Sequence, residues 1–189
     1  METKHKNALI GALLAVVFVM AVGYAAFAQQ LTINGSASIS SRWDVHIKDI
    51  QGQVTNSSTA GDNTTDAGNP THDTTTANFT TKLVSPGDQV TYTVTVENSG
   101  SIDAQLNDIV LSVGPDTGSL VEQTSLTAAN NPSDPIVYTV SGINEGETLN
   151  ADGGTKKFTV TVTYNSSVTT QPTSLTNVAK LTLLYNQAD

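Results

Sequence analysis

The stretch that most limits what this chain can become is residues 84–100, Val-Ser-Pro-Gly-Asp-Gln-Val-Thr-Tyr-Thr-Val-Thr-Val-Glu-Asn-Ser-Gly. Val90, Tyr92, Val94 and Val96 alternate with Thr91, Thr93, Thr95 and Glu97, so an extended chain carries its large apolar groups on one side. Pro86-Gly87-Asp88 supplies a turn before the run, and Asn98-Ser99-Gly100 closes it. The pattern predicts a half-buried strand of an antiparallel sheet. A strand cannot bury one face alone, so the rest of the chain must provide an opposing sheet.

Further runs meet that demand. Leu31, Ile33, Gly35, Ala37 and Ile39 recur with period two, Ser41-Arg42 interrupts them, and Trp43, Val45 and Ile47 resume. Two strands, or one long strand with a bulge, fit this spacing. Ala104 and Leu106 change phase with Ile109, Leu111 and Val113 at Asn107-Asp108, which predicts a bulge or two short strands. Residues 114–118 read as a turn, and residues 120–134 as mostly loop with room for a short strand. Ile136, Tyr138 and Val140 mark another strand, before a turn-rich stretch at 142–154. Phe158, Val160, Val162 and Tyr164 then share one face, as do Ala179, Leu181, Leu183 and Tyr185. The far side of the last run, Val178, Lys180, Thr182 and Leu184, is less polar than a solvated face and suggests a second contact surface. The fold class expected is all-β, an antiparallel two-sheet sandwich of jelly-roll or immunoglobulin-like type. Its predicted core is Val90, Tyr92, Val94, Val96, Phe158, Val160, Val162, Leu181 and Leu183.

An N-terminal helix is expected to precede that domain. Lys4, His5 and Lys6 stand before residues 8–28, which contain no charged residue or side-chain amide and end in Ala26-Phe27-Ala28. A basic start, an apolar middle and an A-x-A-like site describe a secretory signal. An uncleaved anchor is the alternative, because such a run can span about 30 Å of hydrocarbon. Residues 1–28 are therefore read as signal peptide or anchor, and residues 29–189 as a single β-sandwich domain. The expected partners are export machinery and a signal peptidase, with membrane contact only through residues 8–28 if they stay attached. The place expected is outside the cell or on its surface.

Acids outnumber bases 17 to 8, a net charge of −9. Glu2, Lys4 and Lys6 fall in residues 1–28, so the remainder holds 16 acids and 6 bases. A surface that acidic disfavours nucleic acid as a partner. With no cysteine in the chain, disulfides and thiolate metal sites are excluded, and the exported domain depends on its core.

Residues 51–77 differ in kind, being rich in Asn, Thr, Ser, Asp and Gly, with Val54 their only large aliphatic residue. They are expected to form a polar, solvated loop outside the core. Within it Asp62-x-Thr64-x-Asp66, followed by Gly68 and Asp73, faintly resembles an oxygen-rich calcium loop. The EF-hand pattern is broken: Ala67 stands where Gly is needed, and Asp73 where Glu is needed. Cofactors are therefore expected to be none, with calcium a weak alternative. His46 and His72, the only histidines beyond His5, lack the carboxylate spacing of a zinc site. No Gly-x-Ser-x-Gly elbow and no His-Glu-x-x-His occurs, so no catalytic residue is assigned and an enzyme is not expected. Asn34, Asn56, Asn63, Asn78 and Asn165 each begin an Asn-x-Ser/Thr triplet, which a chain rich in these residues produces by chance.

Residues 84–100 resemble the opening of bacterial immunoglobulin-like surface modules, in which a Pro-Gly-Asp turn precedes Val-Thr-Tyr-Thr-Val-Thr-Val and Asn-Ser-Gly. The N-terminus, closing in Gly23-Tyr24-Ala25-Ala26-Phe27 before alternating strands, is similar to that of the TasA/camelysin group of secreted bacterial matrix-fibre proteins. That resemblance implies a jelly-roll-like sandwich assembling into fibres by strand exchange between subunits. Camelysin-like members are labelled metallopeptidases, and the missing His-Glu-x-x-His keeps that activity from carrying over. Two functions are thus expected as alternatives. One is an exported structural subunit of a surface fibre or biofilm matrix, with Leu31, Ile33, Ala37 and Ile39 as the assembly strand donated to a neighbour. The other is an extracellular glycan- or protein-binding module using Trp43 and the polar loop. Trp43 itself is expected in the core, and the binding module needs it exposed for stacking.

Overall fold

The computed structural model describes residues 2–27, 35–58, 64–115, 118–128, 134–170, 172 and 175–188 and, within the N-terminal helix, the side chains of residues 4–20. Two compact units emerge, Met1–Ile39 and Ser40–Asp189.

In the first unit, helix α1 covers Glu2–Phe27. Its described apolar side chains are exposed on every side, from Leu9 at 70 % to Met20 at 66 %. Among the described residues no helix is long and apolar enough to cross a membrane. Residues 35–39 follow without regular structure, and Ile39 is 95 % exposed. The strand expected over residues 30–40 is therefore not formed at residues 35–40. Alternation alone does not make a strand without a neighbouring ladder to bond. Leu31 and Ile33 lie outside the described residues.

The second unit is mostly β and antiparallel. It comprises β1 (Val45–Asn56), β2 (Thr71–His72), β3 (Ala77–Asn78), β4 (Gln89–Asn98), β5 (Ala104–Pro115) and β6 (Val121–Glu122). Then come β7 (Thr127–Ala128), β8 (Ile136–Ser141), β9 (Thr148–Leu149), β10 (Gly154–Tyr164) and β11 (Asn177–Gln187). One sheet runs β1-β4-β10-β8-β7, a second β11-β5-β6 with β9 also on β5, and β2 and β3 form a small ribbon.

β4 is the spine of the larger sheet. Its alternation sets Val90, Tyr92, Val94 and Val96 opposite Val162, Val160, Phe158 and Lys156 of β10. All four β4 residues are buried, as are Phe158, Val160 and Val162. From the second sheet Leu106, Leu111 and Val113 join the same buried cluster, with Leu181 and Leu183 packed against it. Every residue of the predicted core therefore lies in or against that cluster. The outer face of the larger sheet carries a ladder of hydroxyls. Thr91 Oγ1 lies 3.2 Å from Thr55 Oγ1 on one side and 3.2 Å from Thr161 Oγ1 on the other, so three strands are linked by uncharged groups.

Both signals flanking β4 act as expected, through specific bonds. Gly87 takes φ +96°, favourable only for a residue without Cβ, and its N–H donates to Tyr164 O at 2.8 Å. Asn98 is fully buried; its Nδ2 donates to Ile102 O and Leu149 O, and its Oδ1 accepts from Gly100 N. In β5 the phase change is a bulge: Leu184 of β11 pairs with Asp108 but Tyr185 with Leu106, so Asn107 is the extra residue.

Trp43 corrects one expectation. It is 47 % exposed, outside any strand, and does not fill the core. The chain before Val45 is held instead along the turn after β4, where Ser99 N donates to Asp44 O and Ser101 N to Arg42 O, both at 2.9 Å. The core position goes to side chains of the regular ladders.

The polar loop corrects another. Residues 51–56 belong to β1, because Gln51, Gly52 and Gln53 pair with Thr93, Tyr92 and Thr91 despite their polarity. Further on, Thr65 and Ala67 are buried, and Asp66 bridges Lys82 through both backbone bonds. The segment contributes to the core instead of lying wholly in solvent.

Candidate functional site

What brings that segment inward is Asp88, the last residue of the Pro-Gly-Asp turn, with no exposed surface. Its Oδ1 accepts from Ser58 N at 2.9 Å and Ser58 Oγ at 2.8 Å. Its Oδ2 accepts from Thr65 Oγ1, from Val84 N at 3.1 Å and from Ser85 N at 2.9 Å. Burial pushes this carboxyl upward, but the bonds from Thr65, Ser58 and Ser85 outweigh it and hold the group well below the usual carboxylate range. One ionised side chain thus ties residues 58, 65, 84 and 85 together.

Tyr92 performs the same service beside it. Its ring stacks on Phe79 with centroids 4.1 Å apart, and its hydroxyl lies 2.7 Å from Thr81 Oγ1 and 2.8 Å from Ala67 O. Gly52, opposite Tyr92 on β1, leaves room for the ring: a Cβ there would stand 2.8 Å from Tyr92 Cε1 and 3.1 Å from Ala67 Cβ.

These two anchors set residues 77–84 as one wall of a groove of about 820 Å³. Ile136, Tyr138, Val162 and Tyr164 line it from the larger sheet, Asn177, Val178 and Ala179 from the start of β11, and Leu175 from two residues before it. Lys82 directs its N–H and C=O at Asp66. In antiparallel pairing alternate residues point oppositely, so Thr81 and Leu83 direct their backbone groups away from Asp66. β11 ends its sheet, pairing only with β5 among the described strands. Tyr138 Oη donates to Asn177 O at 3.1 Å, and burial, with a smaller contribution from Tyr92, pushes this phenol up to about 12. It remains a neutral donor across the ordinary pH range. The groove is lined by a mixture of polar and apolar side chains and lies beside an open sheet edge, a place where an added strand can pair.

The sequence-derived candidates fall elsewhere. Ala37 and Ile39 are exposed in the N-terminal unit, and Trp43 is half-exposed near the turn after β4. For the calcium reading, Asp62 lies outside the described residues. Asp66 Oδ1 accepts from Gly68 N at 3.0 Å, and Asp73 Oδ1 from Thr75 N and Thr76 N at 2.8 and 2.7 Å. Those backbone bonds hold the Asp73 carboxyl below its ordinary value. Among the described residues no group of three His, Asp or Glu side chains could hold a metal ion. His46 sits between Asp44 Oδ1 at 3.0 Å and Glu97 Oε2 at 3.5 Å, and Lys48 Nζ reaches Glu97 Oε1 at 2.8 Å. Of the Asn-x-Ser/Thr positions, Asn56 and Asn165 donate their amides to Gly87 O and Asp134 O, whereas Asn78 is exposed.

Sequence reasoning did not find the groove. Its walls come from residues 77–84 and 175–179, neither of which carries a long alternation across its whole length. The signal that could have found it is Asp88, an acid directly before an apolar strand and facing a segment full of hydroxyls. The sequence matches no protein-family model and no curated protein.

Proposed function

We propose that this chain is an exported structural protein, a subunit of a cell-surface fibre or biofilm matrix assembled by β-strand addition. In this reading the two larger sheets stack face to face as a jelly-roll or immunoglobulin-like sandwich, and their shared buried cluster supports that packing. The observation that carries the function is the groove beside the start of β11, where the free edge of that strand adjoins a cleft lined in part by Ile136, Tyr138, Val162 and Val178. Residues 30–39 supply its occupant from a second copy. Leu31, Ile33, Ala37 and Ile39 alternate as a groove between sheets requires, and Ile39 is almost wholly exposed in its own chain. Donation from one subunit into the next is a heterologous contact, which makes a filament when its rotation does not close into a ring. The basic start and all-round apolar surface of α1 support export, with residues 1–28 removed or kept as an anchor. The resemblance to the TasA/camelysin group agrees with this reading, and no catalytic step belongs to it.

Electron microscopy of the chain without residues 1–28 tests it, compared with the same chain also lacking residues 29–40. Filaments are expected from the first and monomers from the second, and a synthetic peptide of residues 31–39 should bind the second. Filaments formed equally by both would overturn strand donation.

The half-exposed ring of Trp43 favours a second reading, a glycan- or protein-binding module. In that case a soluble monomer shifts its tryptophan fluorescence on glycan titration, and Trp43→Ala abolishes the shift.

A further inference from the structure

His46, the second residue of β1, stands between two carboxylates: its Nδ1 lies 3.0 Å from Asp44 Oδ1 and its Nε2 3.5 Å from Glu97 Oε2. Beyond them Arg42 Nη1 pairs with Asp44 Oδ2 at 2.9 Å, and Lys48 Nζ with Glu97 Oε1 at 2.8 Å. The His46 and Glu97 side chains are only 24 % and 16 % exposed, so their contact is screened less than an open surface pair. The ribbon beside β1 brings His72 and Asp73, but these face elsewhere. His72 Nδ1 is 3.2 Å from Asp73 O, and the Asp73 carboxylate accepts from Thr75 N and Thr76 N. The same stretch fastens the chain before β1. Ser99 N donates to Asp44 O, Ser101 N to Arg42 O and Arg42 N to Ser101 Oγ, each at 2.9 Å. Residues 40–44 belong to no strand, so these contacts place them in the absence of a sheet ladder.

An ionised carboxylate only accepts hydrogen bonds, a neutral imidazole has one N–H to give, and an imidazolium has two. A neutral His46 therefore donates to one carboxylate and sets a lone pair against the other. The charged ring donates to both. We propose that His46 is a pH-operated clasp, whose doubly protonated ring fastens residues 42–44 to the turn after β4 and whose neutral ring lets them loosen. Histidine is the side chain that ordinarily changes charge between about pH 5 and 8, so the clasp closes in mild acid and loosens above neutrality. Freeing three residues lengthens the exposed chain before them by about 10 Å. The clasp stands whether or not residues 30–39 are donated to a neighbour, since every group in it lies in residues 42–101.

Amide hydrogen exchange of the full chain at about pH 5.5 and about pH 8 tests it, both above the range in which carboxylates ordinarily titrate. Protection of Ser99 N and Ser101 N is measured against an unstructured peptide at the same pH. It should fall about fivefold at the higher pH, the worth of one favourable ion pair. His46→Gln should show the same protection at both. Glu97→Gln is the sharper variant: its amide N–H can donate to a neutral Nε2 while Nδ1–H still serves Asp44, so high protection should persist at the higher pH. A merely structural histidine gives neither result. His72→Gln should keep the response of the parent. Equal protection in the parent at both pH values overturns the clasp, as does a response that survives His46→Gln or is lost in His72→Gln. If His46→Gln fails to fold, Glu97→Gln carries the test, and a fall there as large as in the parent overturns the clasp.

Discussion

At Asp88 a carboxylate with no exposed surface accepts five hydrogen bonds from four residues of three segments. Asp88→Asn places an NH₂ against those donors and should cost about 3 kcal/mol at pH 7, read from denaturant midpoints. The group's folded pKa is depressed, so its stabilisation is complete above the unfolded carboxylate value of about 3.9 and fades as pH falls through the folded value. The gap between parent and variant should accordingly narrow below about pH 4; a gap of constant size from pH 7 to pH 2 would remove Asp88 as its cause. At Gly52 the demand is spatial. The Tyr92 ring cannot retreat, because Phe79, Thr81 and Ala67 hold it, so Gly52→Ala should cost about 1–3 kcal/mol by overpacking. An unchanged denaturation midpoint would mean that the ring yields. Both residues escaped the sequence reading for the same reason. Their roles depend on Ser58 and Thr65 for Asp88 and on Tyr92 for Gly52, each more than 20 positions away, which a period-two pattern does not register.

Among the elements, the long alternating runs were legible and the polar connections were not. β4, β8, β10 and β11 fall where alternation placed them, because one apolar face and one hydroxyl face leave a strand a single way to lie on a core. The bulge at Asn107 was visible as a change of phase. β1 extends through Gln51, Gly52 and Gln53 because β4 offers them a complete ladder, which outweighs their polarity. The polar stretch at 51–77 reads as a solvated loop outside the core, on the argument that a chain without large apolar groups cannot repay its ordering entropy. Ser58 and Thr65 on Asp88, with Ala67 in the core, alter that balance. Replacing residues 57–75 with a short Gly-Ser linker should lower the melting temperature by several degrees, since a loss of 1 kcal/mol alone shifts a domain of this size by about 2–4 °C. A melt indistinguishable from that of the parent would restore the picture of a solvated loop.

For the whole molecule, the buried cluster draws on both larger sheets, so its loss should be cooperative. Val94 is 6 % exposed and pairs with Ile50 on one side and Phe158 on the other. Val94→Asp buries an unpaired charge there and should cost several kcal/mol, seen as one transition moved to lower temperature by circular dichroism and tryptophan fluorescence together. A shift of only a few degrees would mean that the register around β4 is wrong. The threonine ladder across β1, β4 and β10 has a consequence of another kind. Hydroxyls neither titrate nor attract counter-ions, so this broad face keeps its cross-links in brine, in fresh water and in acid alike. Several ion pairs among the described residues gather around residues 42–48 and Glu97, at one end of the same sheet. A swing in salinity therefore acts on that end and on the acidic surface, and leaves the middle of the sheet as it was.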